Sequence, residues 1–223
     1  TEGNGSLVAN ADGTWNYTPA ADDNGTISFS YTISDGTDSV SNTATLDIIP
    51  VNDAPVSTPA TLAPIDEDSG VRVITQDDLL AGYASDVDGD SLTASDLLIT
   101  EGNGSLVANA DGTWNYTPAA DDNGTISFSY TISDGTDSVS NTATLDIIPV
   151  NDAPVSTPAT LAPIDEDSGV RVITQDDLLA GYASDVDGDS LTASDLLITE
   201  GNGSLVANAD GTWNYTPAAD DNG

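Results

Sequence analysis

The sequence predicts an all-β chain of antiparallel β-sandwich domains, about seven strands each, linked end to end. Three observations carry this. The text repeats with a period of 99 residues, from Thr1 to Thr100 to Thr199, which marks an array of like units. Apolar and hydroxyl residues alternate along Ile126-Ser127-Phe128-Ser129-Tyr130-Thr131-Ile132, the period of a half-buried strand. Turn dipeptides such as Asp111-Gly112 and Asp134-Gly135 punctuate such runs where hairpins need them.

Every residue compared is identical between copies, which points to recent duplication within a longer array. The boundary between copies falls at Ile49-Pro50-Val51-Asn52-Asp53-Ala54-Pro55, repeated over 148–154. Its two prolines restrict the backbone, and Ala54, preceding Pro55, is pushed to an extended conformation. On this phase residues 1–51 are the C-terminal half of a repeat, 52–150 a complete sandwich, and 151–223 the N-terminal part of the next. Both outer pieces are expected to leave sheet edges and half a core uncovered.

Within the complete repeat, residues 71–74 read as a short strand and 77–82 as a single helical turn leading into an acidic loop. Residues 92–100 read as a strand. Residues 105–109 and 113–117 flank Asp111-Gly112 as a hairpin, and 139–148 form the last strand, with Leu145 and Ile147 inward. Trp114, Tyr116, Phe128 and Tyr130 are assigned to the core rather than to an aromatic ligand platform.

Composition removes whole classes of function. The chain carries 38 acidic residues against two basic ones, Arg72 and Arg171, for a formal charge of −36. Nothing could neutralise phosphates, which excludes a nucleic-acid partner, and the same deficit excludes contact with an anionic membrane. No run approaches the ~18 apolar residues of a spanning helix. Residue 1 begins no signal peptide, so any export signal is expected outside this stretch. The absence of Cys and His removes disulfides, thiol catalysis, and the usual general base and transition-metal ligand. The absence of Lys removes Lys–Asn isopeptide cross-links. An apolar share of 38%, patterned as above, marks folded domains rather than a disordered acidic chain.

The organising motif is Ser85-Asp86-Val87-Asp88-Gly89-Asp90, which returns unchanged over 184–189. Three carboxylates at alternate positions point the same way if the segment is extended. They repel one another without a counter-charge. A hard divalent cation relieves this, and Ca²⁺, which takes 6–8 oxygens, suits a flexible acidic loop better than Mg²⁺. The alternative reading is a solvated acidic turn. The loop is no EF-hand, because Ser91 and Leu97 stand where that motif places Gly and Glu.

Residues 52–150 hold 17 acidic residues and one Arg. The acids cluster at Asp66-Glu67-Asp68, Asp77-Asp78, Asp86 to Asp90 and Asp121-Asp122, with Asn52-Asp53 at the boundary. A generic soluble surface would intersperse Lys among them. Cation sites at the domain ends account for the clustering, whereas adaptation to high salt accounts only for the total.

Three stretches are similar to the closing strands and linker of cadherin repeats: Phe128-Ser129-Tyr130-Thr131-Ile132-Ser133-Asp134-Gly135, Asn141-Thr142-Ala143-Thr144-Leu145, and Val150-Asn151-Asp152-Ala153-Pro154. Asp86-Val87-Asp88 resembles the cadherin Asp-x-Asp calcium motif. Together with Asp66-Glu67-Asp68-Ser69 and Gly112-Thr113-Trp114-Asn115-Tyr116-Thr117-Pro118-Ala119-Ala120-Asp121, the set looks like the tandem cadherin-like repeats of giant bacterial adhesins of the repeats-in-toxin (RTX) type. The resemblance spans the whole repeat and implies an Ig-like, cadherin-like sandwich with Ca²⁺ between consecutive domains.

Carried over, the resemblance assigns Glu67, Asp121, Asp122, Asn151, Asp152, Asp185 and Asp187 to the second junction, and Asp22, Asp23, Asn52, Asp53, Asp86 and Asp88 to the first. Asp90 and Asp189, which close the acidic loops, and Glu166, the counterpart of Glu67, complete the candidate set. Asp77 and Asp78 either ligate or only raise the local field. The linker is shorter than the cadherin form, with Pro149 where an Asp would stand, so the motif does not set the number of ions per junction.

The function implied is a calcium-stiffened extender of a secreted adhesin on a bacterial cell surface. It would project a distal adhesive domain and support attachment or biofilm formation. Neighbouring identical repeats are its expected partners, and no small-molecule substrate is expected. The alternative is a Ca²⁺-dependent module binding a glycan or a like repeat, although no exposed aromatic pair stands out. An enzyme is not expected, since acidic pairs such as Asp121-Asp122 arise by chance in so acidic a chain.

Overall fold

The computed structural model describes residues 5–219, and the chain divides into two compact units, Thr1–Ile148 and Pro149–Gly223. The first unit begins with two hairpins, β1 (Gly5–Ala9) with β2 (Trp15–Pro19) and β3 (Gly25–Ser34) with β4 (Ser39–Ile48). Tyr17 meets Phe29 edge-on, with ring centroids 5.5 Å apart.

The middle repeat follows in the same unit. Its short strands are β5 (Val56–Ser57), β6 (Ala60–Thr61), β7 (Ile65–Asp66) and β8 (Arg72–Ile74). Helix α1 (Gln76–Leu80) and β9 (Ala84–Ser85) lead to β10 (Thr93–Glu101), β11 (Ser105–Ala108), β12 (Trp114–Thr117), β13 (Gly124–Ser133) and β14 (Ser138–Ile148). Ten strands thus stand where the sequence pattern predicts about seven. The surplus consists of two-residue strands, too short for any periodicity to show.

One sheet runs β10-β13-β14-β6, with β7 also pairing parallel to β14; the other runs β11-β12-β8. The alternation read at 126–132 is obeyed: Ile126, Phe128, Tyr130 and Ile132 are all buried. Leu145 and Ile147 are buried from β14, and Trp114 and Tyr116 from β12. Tyr116 and Phe128 close the sandwich edge-on at 5.6 Å, a preferred geometry for aromatic pairs. All four large aromatics are therefore core residues, as expected. The β10–β13 register shifts between Ser95 and Leu98. That irregularity turns Leu97 into the core and leaves Leu98 exposed.

The helical turn forms one residue earlier than the sequence pattern places it. Thr75 caps it, accepting from the Asp78 N–H while the Asp78 carboxylate accepts from the Thr75 N–H, a reciprocal capping box. Asp78 also pairs with Arg72 at 3.0 Å. Asp78 is therefore structural, and its field is matched by the repeat's single cation. Leu79 anchors the turn in the core.

The second unit holds β15 (Val155–Ser156), β16 (Arg171–Ile173), α2 (Gln175–Leu179), β17 (Ala183–Ser184), β18 (Gly203–Ala207) and β19 (Trp213–Pro217). Strands β16, β19 and β18 form one sheet. Residues 192–200 repeat the text of β10 but form no strand. Among the described residues, no helix is long and apolar enough to cross a membrane.

Candidate metal centre

The acidic loop is built around Asp86. Its Oδ1 accepts from the backbone N–H of Asp88 at 2.9 Å and of Asp90 at 3.4 Å. A carboxylate that bonds the backbone two residues on makes a local turn, and Gly89, at φ 81°, completes it at little steric cost. The segment is thus a bend, not the extended strand on which the alternation argument rested. Convergence survives for a different reason: oxygens of Asp86, Asp88 and Asp90 lie within 4.8 Å of one another because the chain wraps around the first of them.

This loop faces the boundary peptide. The Asp53 N–H donates to Asp88 Oδ2 at 2.8 Å. A cavity of about 310 Å³ is lined by Asp22 and Asp23 from the first stretch, by Asp53 from the boundary, and by Asp88 from the middle repeat. Asp22 reaches it from a left-handed backbone, φ 56°, a conformation Asp tolerates better than most residues. Asp23 Oδ2 and Asp86 Oδ2 are hidden from solvent and have no hydrogen-bond partner. Loss of solvation, then the charges of Asp22, Asp88 and Asp86, push the Asp53 carboxyl above its usual range.

No basic side chain relieves this. Arg72 pairs with Asp78, and Arg171 with Asp177 at 3.3 Å. Shielded carboxylate oxygens without donors, gathered from two successive repeats, fit a hard cation that takes oxygen ligands.

Asn52 stands apart from this group. Its Nδ2 donates to Asp134 Oδ2 at 3.1 Å and Asp137 Oδ2 at 2.9 Å, which clamps the boundary to the β13–β14 turn. Asp90 closes the acidic loop and does not line the cavity.

Around the other end of the middle repeat, Glu67 is buried; its N–H donates to Ile148 O at 2.9 Å, and its Oε2 accepts from Asn123 Nδ2 at 3.5 Å. Asp121, at φ 54°, brings an oxygen within 4.8 Å of one from Asp68. Asp68 stands outside the candidate set, although the run Asp66-Glu67-Asp68 is its signal in the sequence. Asp122 turns elsewhere and accepts from Asn103 Nδ2 at 3.2 Å.

In the second unit the loop geometry recurs. The Asp152 N–H donates to Asp187 Oδ2 at 2.7 Å, and Asp185 Oδ1 accepts from the N–H groups of Asp187 and Asp189 at 3.1 and 3.3 Å. Asn151 Nδ2 donates to Asp152 O at 2.9 Å, and Glu166 is exposed.

A family model described as a cadherin-like domain matches residues 1–49, 51–148 and 150–223. Among solved structures the chain is similar to the extracellular cadherin domains 1–5 of protocadherin gamma B2. Identity there is 13% and the TM-score 0.53, over 96% of this chain and 44% of that one. Mouse protocadherin-24 EC1-3 is matched at 13% identity and TM-score 0.51, over 96% of this chain and 74% of that one. A family 107 endo-fucoidan hydrolase is matched at 22% identity but a TM-score of only 0.34; this chain covers 33% of its length, and the likeness carries no argument for catalysis. No curated protein matches the chain.

Proposed function

The chain belongs to the cadherin-like domain family, and from that premise we propose that its repeats are calcium-stiffened extenders of a giant secreted bacterial adhesin of the RTX type. They would hold a distal adhesive domain away from the cell surface and support attachment or biofilm formation. The partner of each repeat is its identical neighbour in the same chain; nucleic acid, membrane and small-molecule substrate have no part in this reading.

The observation that carries it is the meeting of carboxylates from consecutive repeats in one cavity. Asp22 and Asp23 come from the first, Asp53 from the boundary, and Asp88 from the second; Asp86 converges on Asp88 in the same loop and its charge reaches Asp53. These residues would hold a Ca²⁺ ion, whose chemistry here is to supply the counter-charge that no side chain provides. With the charge matched, the boundary peptide and the acidic loop are held as one body. Without it, like charges push the repeats apart. The shared text of the copies suits a part that sets length, because each unit of a linear array touches only its neighbours. The repeat-long motif resemblance supports the RTX adhesin assignment.

The test is thermal melting of the chain in chelator, in Ca²⁺ and in Mg²⁺ at equal ionic strength, followed by small-angle scattering for length. A rise in Tm specific to Ca²⁺, with a longer and less variable particle, is expected. Equal stabilisation by any salt would overturn the reading, because screening alone would then account for the acids.

A further inference from the structure

The dipeptide Asn-Gly recurs along the chain, and the structure divides its occurrences into two kinds. At Asn24-Gly25 and Asn123-Gly124 the glycine opens a long strand, in register with Ile48 of β4 and with Ile147 of β14. At Asn103-Gly104 the glycine lies outside the β11–β12 pairing, which begins at Ser105. Here the stretch Gly102-Asn103-Gly104 joins β10 to β11. All three residues are exposed, and both glycines have positive φ, 90° and 128°. The peptide group between Asn103 and Gly104 carries a second distinction. The Tyr116 hydroxyl donates to its carbonyl, Asn103 O, at 2.7 Å, and the same bond recurs between Tyr215 and Asn202 at 2.9 Å. The Asn103 side chain is held as well, its Nδ2 donating to Asp122 Oδ1 at 3.2 Å.

We propose that Asn103-Gly104 is a self-modifying site, at which the chain deamidates Asn103 with the Tyr116 hydroxyl as activating group and water as co-reactant. The Gly104 amide nitrogen gives up its proton and attacks Asn103 Cγ. The Cγ–Nδ2 bond breaks, Nδ2 leaves with that proton as ammonia, and a succinimide ring closes. Water then adds to either ring carbonyl. The ring opens to aspartate or, with one more carbon in the main chain, to isoaspartate. Nothing is oxidised or reduced. As the Gly104 nitrogen loses its proton, charge spreads onto Asn103 O, where the Tyr116 hydroxyl is already aimed. Burial, then the Asp122 charge, raises the Tyr116 phenol above its usual range, so it remains a donor in the mild base that drives the first step. The glycines on either side give the backbone the freedom to bring nitrogen and Cγ together. The product sets a carboxylate against Asp122 where a donor stood, which loosens the β10–β11 connection. No cation takes part, so the site stands apart from the calcium reading.

Arg72 and Arg171 are the only basic residues, so trypsin releases residues 73–171 intact, with Asn103 and Asn123 in one piece. The full chain is held in warm, mildly alkaline buffer with chelator, sampled over time, cleaved, and sequenced by mass spectrometry. Conversion adds about 1 Da. It is expected at Asn103 well ahead of Asn123, and faster at Asn103 in the folded chain than in urea, where the two positions should react at similar rates. Tyr116→Phe should slow the gain at Asn103 about tenfold, the rate equivalent of one hydrogen bond to a developing charge. Asn123 keeping pace with Asn103 in the folded chain would overturn the proposal, as would an Asn103 that reacts no faster folded than in urea. A folded Tyr116→Phe chain that converts at the original rate would overturn it too. If that variant does not fold, the comparison of the original chain with and without urea decides alone.

Discussion

The Asp53 backbone N–H is bonded to Asp88 Oδ2 at 2.8 Å, and the same pair one repeat later, Asp152 and Asp187, lies at 2.7 Å. The bond ties the boundary peptide to a loop 35 residues further on through the main chain of one acid and the side chain of another. Side-chain replacement at position 53 therefore removes a charge without removing the tie, which separates electrostatics from architecture.

Asp86→Asn makes the complementary separation. Its amide oxygen still accepts from Asp88 and Asp90, so the bend survives, but the shielded charge at Oδ2 is gone. Calcium binding should weaken at least about tenfold, which lowers the stabilisation at saturating ion by about 1.4 kcal/mol. Calcium titration followed by melting reads both. An unchanged titration midpoint would remove Asp86 from the site.

Tyr130 lies at the crossing of three elements. Its hydroxyl donates to Leu79 O and accepts from Asn141 Nδ2, both at 2.8 Å, and Asn141 Nδ2 also donates to Thr58 O at 2.8 Å. Tyr130→Phe keeps the ring in its place and leaves a buried carbonyl without its donor, at an expected cost of about 1–3 kcal/mol. Urea denaturation measures it. A change below about 0.5 kcal/mol, typical of a surface substitution, would mean that water replaces the hydroxyl.

The long strands were legible because alternating burial over most of their length leaves a period of two in the text, as Ile126 to Ile132 shows. The hairpin at Asp111-Gly112 was legible through its turn chemistry. The site was legible only as composition. That Asp86 folds the loop around itself, that Asn52 turns away to Asp134 and Asp137, and that Asp68 meets Asp121 all depend on long-range placement or on left-handed backbone at Asp. Asp78 shows the reverse case. Its Thr75-x-x-Asp78 spacing was a capping signature, hidden by the surrounding acids.

Gly104 and Gly112 both have positive φ, 128° and 82°, but differ in what surrounds them. A Cβ on Gly104 would lie 2.6 Å from Thr117 O and 2.8 Å from the Tyr116 ring, whereas on Gly112 it meets nothing closer than Gln76 Nε2 at 3.7 Å. Gly112→Ala should cost about 1 kcal/mol, from backbone strain alone. Gly104→Ala should cost more than about 3 kcal/mol, because the β11–β12 pair must also part. Denaturant midpoints give the order. Equal losses would show that the hairpin yields freely at Gly104.

Acid and base should act oppositely on two carboxyls when calcium is chelated. Desolvation and the charges of Asp22, Asp88 and Asp86 raise the Asp53 pKa in the folded chain. The folded state therefore holds that proton more tightly than the unfolded one, and the stability it confers is full below the unfolded pKa and lost as pH rises through the folded value. Asp111 is shifted the other way, by donation from the Thr113 hydroxyl and then its N–H. Its contribution is present above the unfolded pKa and lost as pH falls through the folded value. Asp111→Asn should flatten the acid limb below about pH 4, near the ordinary Asp value. Asp53→Asn should raise Tm at neutral pH in chelator, since it removes one of the facing charges, and lower Tm in calcium, since it removes a ligand charge. Melting across pH in both buffers reads these signs. An Asp53→Asn chain that melts lower in chelator would mean that Asp53 is not repelled by its neighbours, and the cavity would lose the electrostatic reason for holding a cation.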